Sequence, residues 1–286
     1  MTTFAAADGT SLHEMTWTPS GKPRGAVVLL HGYGEHIARY DETARALSAA
    51  GWAVRGADLR GHGESAGRRG FVRRFDEYLD DAALLIGRAR ETAGPLFLLG
   101  HSFGGLIATH VALQKKAALD GLILSSPFFR LALAVPAVKI FAGKLFSSLI
   151  PTLALPAGLK GADVTRDPEL AALYDRDPLN NKNATARWFT ETQTAQEQAL
   201  ARASELTLPC LVMHGGGDKV ADPRATEELF AGISSKDKTL KIYEGQYHEI
   251  FNEPAADRVK TFADVVAWLD ARGSVDAGEK LHAHSP

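Results

Sequence analysis

The sequence carries a single cysteine, Cys210, so no internal disulfide can brace the fold. That residue sits in the apolar run 208–213, which marks it as a buried, inert thiol rather than a nucleophile. Charge of one sign is missing as well, since 32 Lys and Arg face 34 Asp and Glu for a formal charge of −2. This balance excludes a polybasic nucleic-acid binder, whose affinity comes from cations clustered on phosphates, and it excludes an acidic disordered chain. Long hydrophobic runs are also absent. The uncharged apolar stretch at residues 145–159 is broken by Pro151 and Pro156 and falls short of the roughly 18 to 20 residues that span a bilayer. Residues 1–9 have neither the basic nor the apolar segment of a secretory signal, so the sequence reads as cytoplasmic. The patterns GxxxxGKS/T, GxGxxG and HExxH do not occur, and with them goes any pointer to a nucleotide, dinucleotide or metal. No cofactor is implied.

What is present is an alternation of two kinds of segment. Residues 26–31, 53–57, 96–100, 121–125, 208–214 and 239–243 are short, mostly apolar and bounded by Gly, Pro or polar residues, as strands buried on both faces are. Residues 40–50, 75–92, 103–116, 227–231 and 259–269 have helical composition, and Phe75, Tyr78, Leu79, Ala82, Leu85, Ile86 and Ala89 form one stripe of the second. The pattern predicts an α/β fold with a mostly parallel, doubly wound sheet. Asp8-Gly9, between the segments 4–6 and 12–16, predicts a hairpin in front of it.

Residues 127–205 break the alternation, contain no clear strand and read as a helical cap inserted into a core made of 1–126 and 206–271. Leu131, Val135, Val138, Phe141, Leu145 and Leu149 recur at helical spacing, punctuated by Arg130, Lys139 and Lys144. Such a stripe suits either an interfacial helix or one that packs on the domain beneath, and composition slightly favours packing. Residues 272–286 lack periodicity and read as a disordered tail, with His282 and His284 solvated rather than metal-binding.

The chemistry centres on Gly100-His101-Ser102-Phe103-Gly104, placed directly between a predicted strand and a predicted helix. This is the context of a nucleophile elbow, where small neighbours let the chain turn sharply enough to present the serine hydroxyl. A serine hydroxyl is a weak nucleophile at neutral pH and needs a base, which needs an orienting acid. With the chain order Ser, acid, His and each residue on a loop after a strand, the candidates are Ser102, Asp218 and His248. Asp222 is the rival acid, but it precedes Pro223, where it better caps a helix. The oxyanion of a tetrahedral intermediate needs two N–H donors, for which the backbone amides of Phe103 and Tyr33 are placed. His214-Gly215-Gly216-Gly217 imitates an oxyanion loop but follows the nucleophile instead of preceding it. Asp58 and Arg60, in a Gly-rich turn, read as braces between loops.

HGYGEH at 31–36, DLRGHGES at 58–65, GHSFGG at 100–105, YDRDPL at 174–179, MHGGGD at 213–218 and KTLKIYEGQYH at 238–248 occur in the order found in one family. On these blocks the sequence resembles the α/β-hydrolases, and within them the monoacylglycerol lipases and lysophospholipases related to the serine aminopeptidase S33 group. The resemblance implies a catalytic triad of Ser102, Asp218 and His248, oxyanion donors at Tyr33 and Phe103, and a cap whose apolar face meets lipid over an acyl tunnel. It turns the stripe toward the interfacial reading, with peripheral membrane contact through Leu145 and Leu149. The implied activity is hydrolysis of a monoacylglycerol ester; lysophospholipids, short-chain esters and a slow, receptor-like ligand binder are the alternatives. Glu249, directly after His248, departs from the pattern as an acidic neighbour that would raise the histidine pKa.

Overall fold

The computed structural model describes residues 2–133 and 137–273. The chain opens with a hairpin, β1 (Thr2–Ala5) and β2 (Ser11–Trp17), turned at Gly9 with φ of 83°. There follow β3 (Ala26–Leu30), α1 (Asp41–Ala49), β4 (Ala53–Ala57), α2 (Asp76–Ala89), β5 (Leu96–His101), α3 (Phe103–Leu113) and β6 (Gly121–Ser125). Next come α4 (Ala137–Leu149), β7 (Ala154–Pro156), α5 (Gly161–Val164), α6 (Pro168–Arg176), β8 (Asn183–Thr185) and α7 (Ala186–Ala201). The chain returns through β9 (Cys210–Gly215), α8 (Pro223–Gly232), β10 (Lys238–Tyr243) and α9 (Ala255–Gly273).

Eight strands form one sheet in the order β1-β2-β4-β3-β5-β6-β9-β10, parallel except where β2 meets β1 and β4. This is the predicted mostly parallel sheet behind a hairpin. Successive strand residues point to opposite faces. Val28, Leu30, Leu98, Leu122 and Val212 therefore join the cluster shared with α2 and α3, while Val27, Leu29, Leu99, Ile123 and Leu211 join the one shared with α1 and α9. Both faces are dry, which is why these strands read as unbroken apolar runs. α8 begins at Pro223, ahead of the expected 227, because Asp222 accepts the Arg224 N–H and Pro223 presets the first turn.

The stretch between β6 and β9 adds no strand to the main sheet but is not strandless, as the sequence suggested. β7 and β8 pair with each other, Leu155 opposite Ala184. At three residues each, with Pro156 in one, they carry no period of their own, so only their mutual contact makes them strands. α7 does double duty. Its Trp188, Ala195 and Ala199 are buried in the core cluster on the α2 and α3 side of the sheet, and it supplies the crossover that parallel neighbours β6 and β9 require.

The expected apolar stripe divides. Leu131 precedes α4 and bridges to Ala221, and Val135 lies outside the described residues, as do the Lys139 side chain and the His282 and His284 pair. Val138, Phe141, Leu145 and Leu149 are 72%, 69%, 47% and 69% exposed. α4 is instead anchored from its other side, where Gly143 approaches Phe189 and the Ser147 and Thr190 hydroxyls meet at 2.7 Å. α9 runs two residues into the expected tail, because Arg272 ties it to Asp237 at 2.9 Å.

Candidate active site

Ser102 stands at the junction of β5 and α3 with φ of 51° and ψ of −117°, a backbone geometry that side chains rarely adopt. Its surroundings leave no room for side chains on the flanking glycines. A Cβ on Gly100 would lie 2.8 Å from Gly105 Cα, and one on Gly104 would lie 2.5 Å from the His31 carbonyl oxygen. The Ser102 N–H donates to the Ser125 carbonyl at 2.9 Å, and its own carbonyl receives Leu106 N–H at 3.1 Å and Phe128 N–H at 3.0 Å. The strained residue is thus held on three sides.

His248 Nε2 lies 2.8 Å from Ser102 Oγ, and His248 Nδ1 lies 2.7 Å from Asp218 Oδ2. A carboxylate only accepts, so Nδ1 carries the imidazole proton and Nε2 is left to accept from the serine hydroxyl. Asp218 is fully engaged: Oδ1 receives Val220 N–H at 2.7 Å and Ala221 N–H at 3.0 Å, and Oδ2 also receives His214 Nε2–H at 2.9 Å. Burial alone would push this carboxyl up, yet the His248 charge and the donors from His214 and His248 hold it well below the usual carboxylate range. Burial likewise opposes a charge on His248, but the Asp218 carboxylate, followed by Glu249 and Glu35, raises its pKa above the ordinary value.

His214 is a supporting residue that sequence order alone passes over. Its Nδ1 accepts from the Thr226 hydroxyl at 2.8 Å, so its proton sits on the nitrogen that faces Asp218. The glycines after it fasten the Asp218 loop to the His248 loop: Gly216 N–H donates to the Tyr243 carbonyl and Gly217 N–H to the Gln246 carbonyl, both at 2.8 Å. A Cβ on Gly215 would strike the Gln246 carbonyl. The segment that imitates an oxyanion loop is a staple. Asp222 caps α8 and is paired with Arg224 at 2.9 Å.

The loop after β3 lies against Ser102, since a Cβ on Gly32 would stand 3.1 Å from Ser102 Cβ. Tyr33 follows in that loop, and Phe103 opens α3, where the first four N–H groups have no partner within the helix. Glu35 fixes the loop from behind. Its carboxylate accepts Gly32 N–H at 2.5 Å, the Tyr40 hydroxyl at 2.6 Å and Arg39 Nε at 3.1 Å. Arg39 reaches on to Glu249 at 2.5 Å, so one guanidinium bridges the loop and the residue after His248. Burial pushes the Glu249 carboxyl up; Glu35, where burial is outweighed by His101 and Arg39, is lowered to about 2. Neither side chain was singled out as part of a network from sequence.

Asp58 accepts Ile37 N–H and Glu64 N–H at 2.7 Å each, and Arg60 grips Asp81 at 2.6 and 2.7 Å, so both act as braces. Cys210 is 2% exposed at the end of β9 away from Asp218, and burial pushes its thiol up to about 11. Among the described residues, no group of three or more His, Cys, Asp or Glu side chains is arranged to hold a metal ion.

Comparison with known proteins adds a family to this geometry. Residues 21–255 match the family described as serine aminopeptidase, S33. A monoacylglycerol lipase of Mycolicibacterium smegmatis is 35% identical over 270 residues, covering 93% of this chain and 95% of its own. Phospholipase YtpA of Bacillus subtilis is 35% identical over 257 residues, covering 89% of this chain and 98% of its own. The crystal structure of a monoacylglycerol lipase from Paleococcus ferrophilus superimposes with a TM-score of 0.84 at 30% identity, covering 91% of this chain and 99% of that one.

Proposed function

The chain belongs to the serine aminopeptidase S33 family, and from that premise we propose that it is a carboxylic ester hydrolase that cleaves monoacylglycerols to a fatty acid and glycerol. The observation that carries the reading is the continuous line from Ser102 Oγ through His248 to Asp218, at 2.8 and 2.7 Å.

In this reading Ser102 Oγ attacks the ester carbonyl carbon while its proton passes to His248 Nε2. Asp218 keeps Nδ1–H in place and offsets the imidazolium charge. The oxyanion is received by the Tyr33 and Phe103 N–H groups, and the C–O bond to glycerol breaks as His248 returns the proton to the glycerol oxygen. A water molecule then attacks the acyl-enzyme, gives a proton to His248, and releases the fatty acid as Ser102 regains its hydrogen. The test is turnover of a long-chain monoacylglycerol by the wild type and by Ser102→Ala. Wild-type turnover with loss of several orders of magnitude in the variant is expected; undiminished activity in Ser102→Ala would refute the serine mechanism. A lysophospholipid and a p-nitrophenyl ester belong in the same panel, because the Bacillus subtilis relative is named a phospholipase.

The reading extends to peripheral contact with a lipid surface through the exposed face of α4. No described helix is long and apolar enough to cross a membrane. Val138, Phe141, Leu145 and Leu149 nevertheless stand in solvent on one helix, and such a face gains by entering an acyl boundary. Replacing Leu145 and Leu149 together with aspartate is expected to abolish pelleting with liposomes; unchanged pelleting refutes this contact.

A further inference from the structure

The geometry points to the Tyr33 side chain as a positioning group that holds its own backbone N–H on the oxyanion by fastening the loop to β8. The inference rests on the proposed hydrolytic reading and on Tyr33 N–H as a donor. Its basis is how many independent anchors converge on one residue. Glu35 fixes the His31–Gly32 peptide by accepting Gly32 N–H, and the next peptide, which carries the Tyr33 N–H, is fixed by His31 Nδ1–H, which donates to the Gly32 carbonyl at 2.7 Å. Beyond Tyr33, the Gly34–Glu35 peptide is fixed by the Asn181 N–H, which donates to the Gly34 carbonyl at 2.8 Å. Between them the Tyr33 hydroxyl donates to the Asn183 carbonyl at 2.5 Å, across 150 positions of sequence.

The ring is held as firmly as the hydroxyl. It lies against Trp188 of α7 at a centroid distance of 3.7 Å and meets Phe103, the residue of the second proposed donor, edge-on at 6.0 Å. Gly70 closes the junction from the core side. Its carbonyl receives both the N–H and the hydroxyl of Thr185 in β8, at 3.2 and 2.7 Å. Its φ is 62°, and a Cβ there would lie 2.5 Å from the Tyr33 hydroxyl and 2.6 Å from the Asn183 carbonyl oxygen. A tyrosine that only filled space would need none of this. A phenol hydrogen-bonded at its tip, in a loop tied down on both sides of it, limits how far the peptide bearing its own N–H can tilt.

An N–H donor preset toward the place where charge develops strengthens binding of the transition state more than of the ester. Tyr33→Phe removes the hydroxyl and keeps the ring, so the donor is loosened rather than lost. The expected result is a fall of about tenfold in kcat on p-nitrophenyl butyrate, a part of the roughly 10²- to 10³-fold cost of losing a donor outright, with KM within about twofold. The affinity for a trifluoromethyl ketone, which forms a tetrahedral adduct with the serine, should fall in parallel. Gly70→Ala, which wedges the same junction while leaving Tyr33 intact, should give the same split. Thermal melting of both variants checks that they remain folded at the assay temperature. The inference is overturned if kcat is unchanged in both variants, if KM rises while kcat holds, or if the loss follows the fraction unfolded. Full activity in Ser102→Ala would instead remove the hydrolytic reading, so the two failures are told apart.

Discussion

Replacing Asp218 with asparagine exchanges one carboxylate oxygen for an NH2 group, and the surrounding partners decide which one. Oδ1 receives two backbone N–H groups, from Val220 at 2.7 Å and Ala221 at 3.0 Å, so the amide oxygen must take that position. The NH2 group is then forced to where Oδ2 was, facing His214 Nε2 at 2.9 Å and His248 Nδ1 at 2.7 Å. Both nitrogens donate in the native arrangement. Donor facing donor is resolved when the His248 proton moves to Nε2, which turns Nδ1 into an acceptor. The Nε2–H now points at Ser102 Oγ, 2.8 Å away, and the imidazole can no longer take the serine proton. A wrong-tautomer triad of this kind loses roughly 10⁴ in kcat, or about 5.5 kcal/mol of barrier. The assay is steady-state hydrolysis of a p-nitrophenyl ester by Asp218→Asn, beside Asp222→Asn as the control. Asparagine caps a helix as well as aspartate does, and the Arg224 and Arg130 partners of Asp222 are largely exposed, so the control should stay within about twofold of the wild type. A tenth or more of native kcat in Asp218→Asn, or an equal loss in Asp222→Asn, would refute the reasoning.

Three further outcomes are expected. The proposed mechanism needs neutral His248, whose pKa is raised, so the acid limb of kcat/KM should lie above the ordinary histidine value near 6.5. Glu249→Gln removes a neighbouring charge that favours the imidazolium, which lowers that pKa and moves the limb toward acid; a limb that stays put or moves toward alkali contradicts the assignment. Ser102→Gly relieves a side chain at φ of 51° and should raise thermal stability by about 1 kcal/mol while abolishing turnover, which differential scanning calorimetry would reveal. Gly104→Ala drives a Cβ to within 2.5 Å of the His31 carbonyl oxygen, a backbone group that cannot step aside, and should lower the melting temperature by several degrees or prevent folding. A melting curve like the wild type's would show that the elbow can relax.

Much of the sheet can be read from the chain because strands buried on both faces leave continuous apolar runs, as at Ala26–Leu30 and Leu96–His101. Ser102 and Asp218 stand out for a related reason, since each follows such a run, and His248 follows the half-buried edge strand Lys238–Tyr243 at the same end of the parallel sheet, where its loops gather. The parts that stay hidden depend on contacts between distant segments. β7 and β8 are strands only because they meet each other. The bridge from Glu35 through Arg39 to Glu249 links positions 35 and 249, with no local period to mark it. His214 offers a faint signal, a polar side chain at the end of the apolar run 210–213, and its partner Asp218 lies four residues on. The α4 stripe fails differently. Its period is correct, but periodicity gives the spacing of a face and not whether anything covers it.

The course of the chain between β6 and β9 separates what must be kept from what can be exchanged. α7 is the crossover that joins two parallel strands, so it cannot be removed without cutting the sheet. The helices α4, α5 and α6 lie outside that requirement, between Phe128, whose N–H meets the Ser102 carbonyl, and Thr185, whose side chain accepts the Trp188 N–H at the head of α7. The cost of closing a loop grows slowly, by about 0.6 kcal/mol for each doubling of length. A larger, smaller or differently shaped piece can therefore be spliced between these two fixed points with little penalty to the sheet. On the proposed hydrolytic reading, substrate range would then lie in a replaceable part, mounted on a fixed frame and obliged only to keep its ties to the loops beside Ser102 and His248, from Asn181 to Gly34 and from Glu249 to Val164.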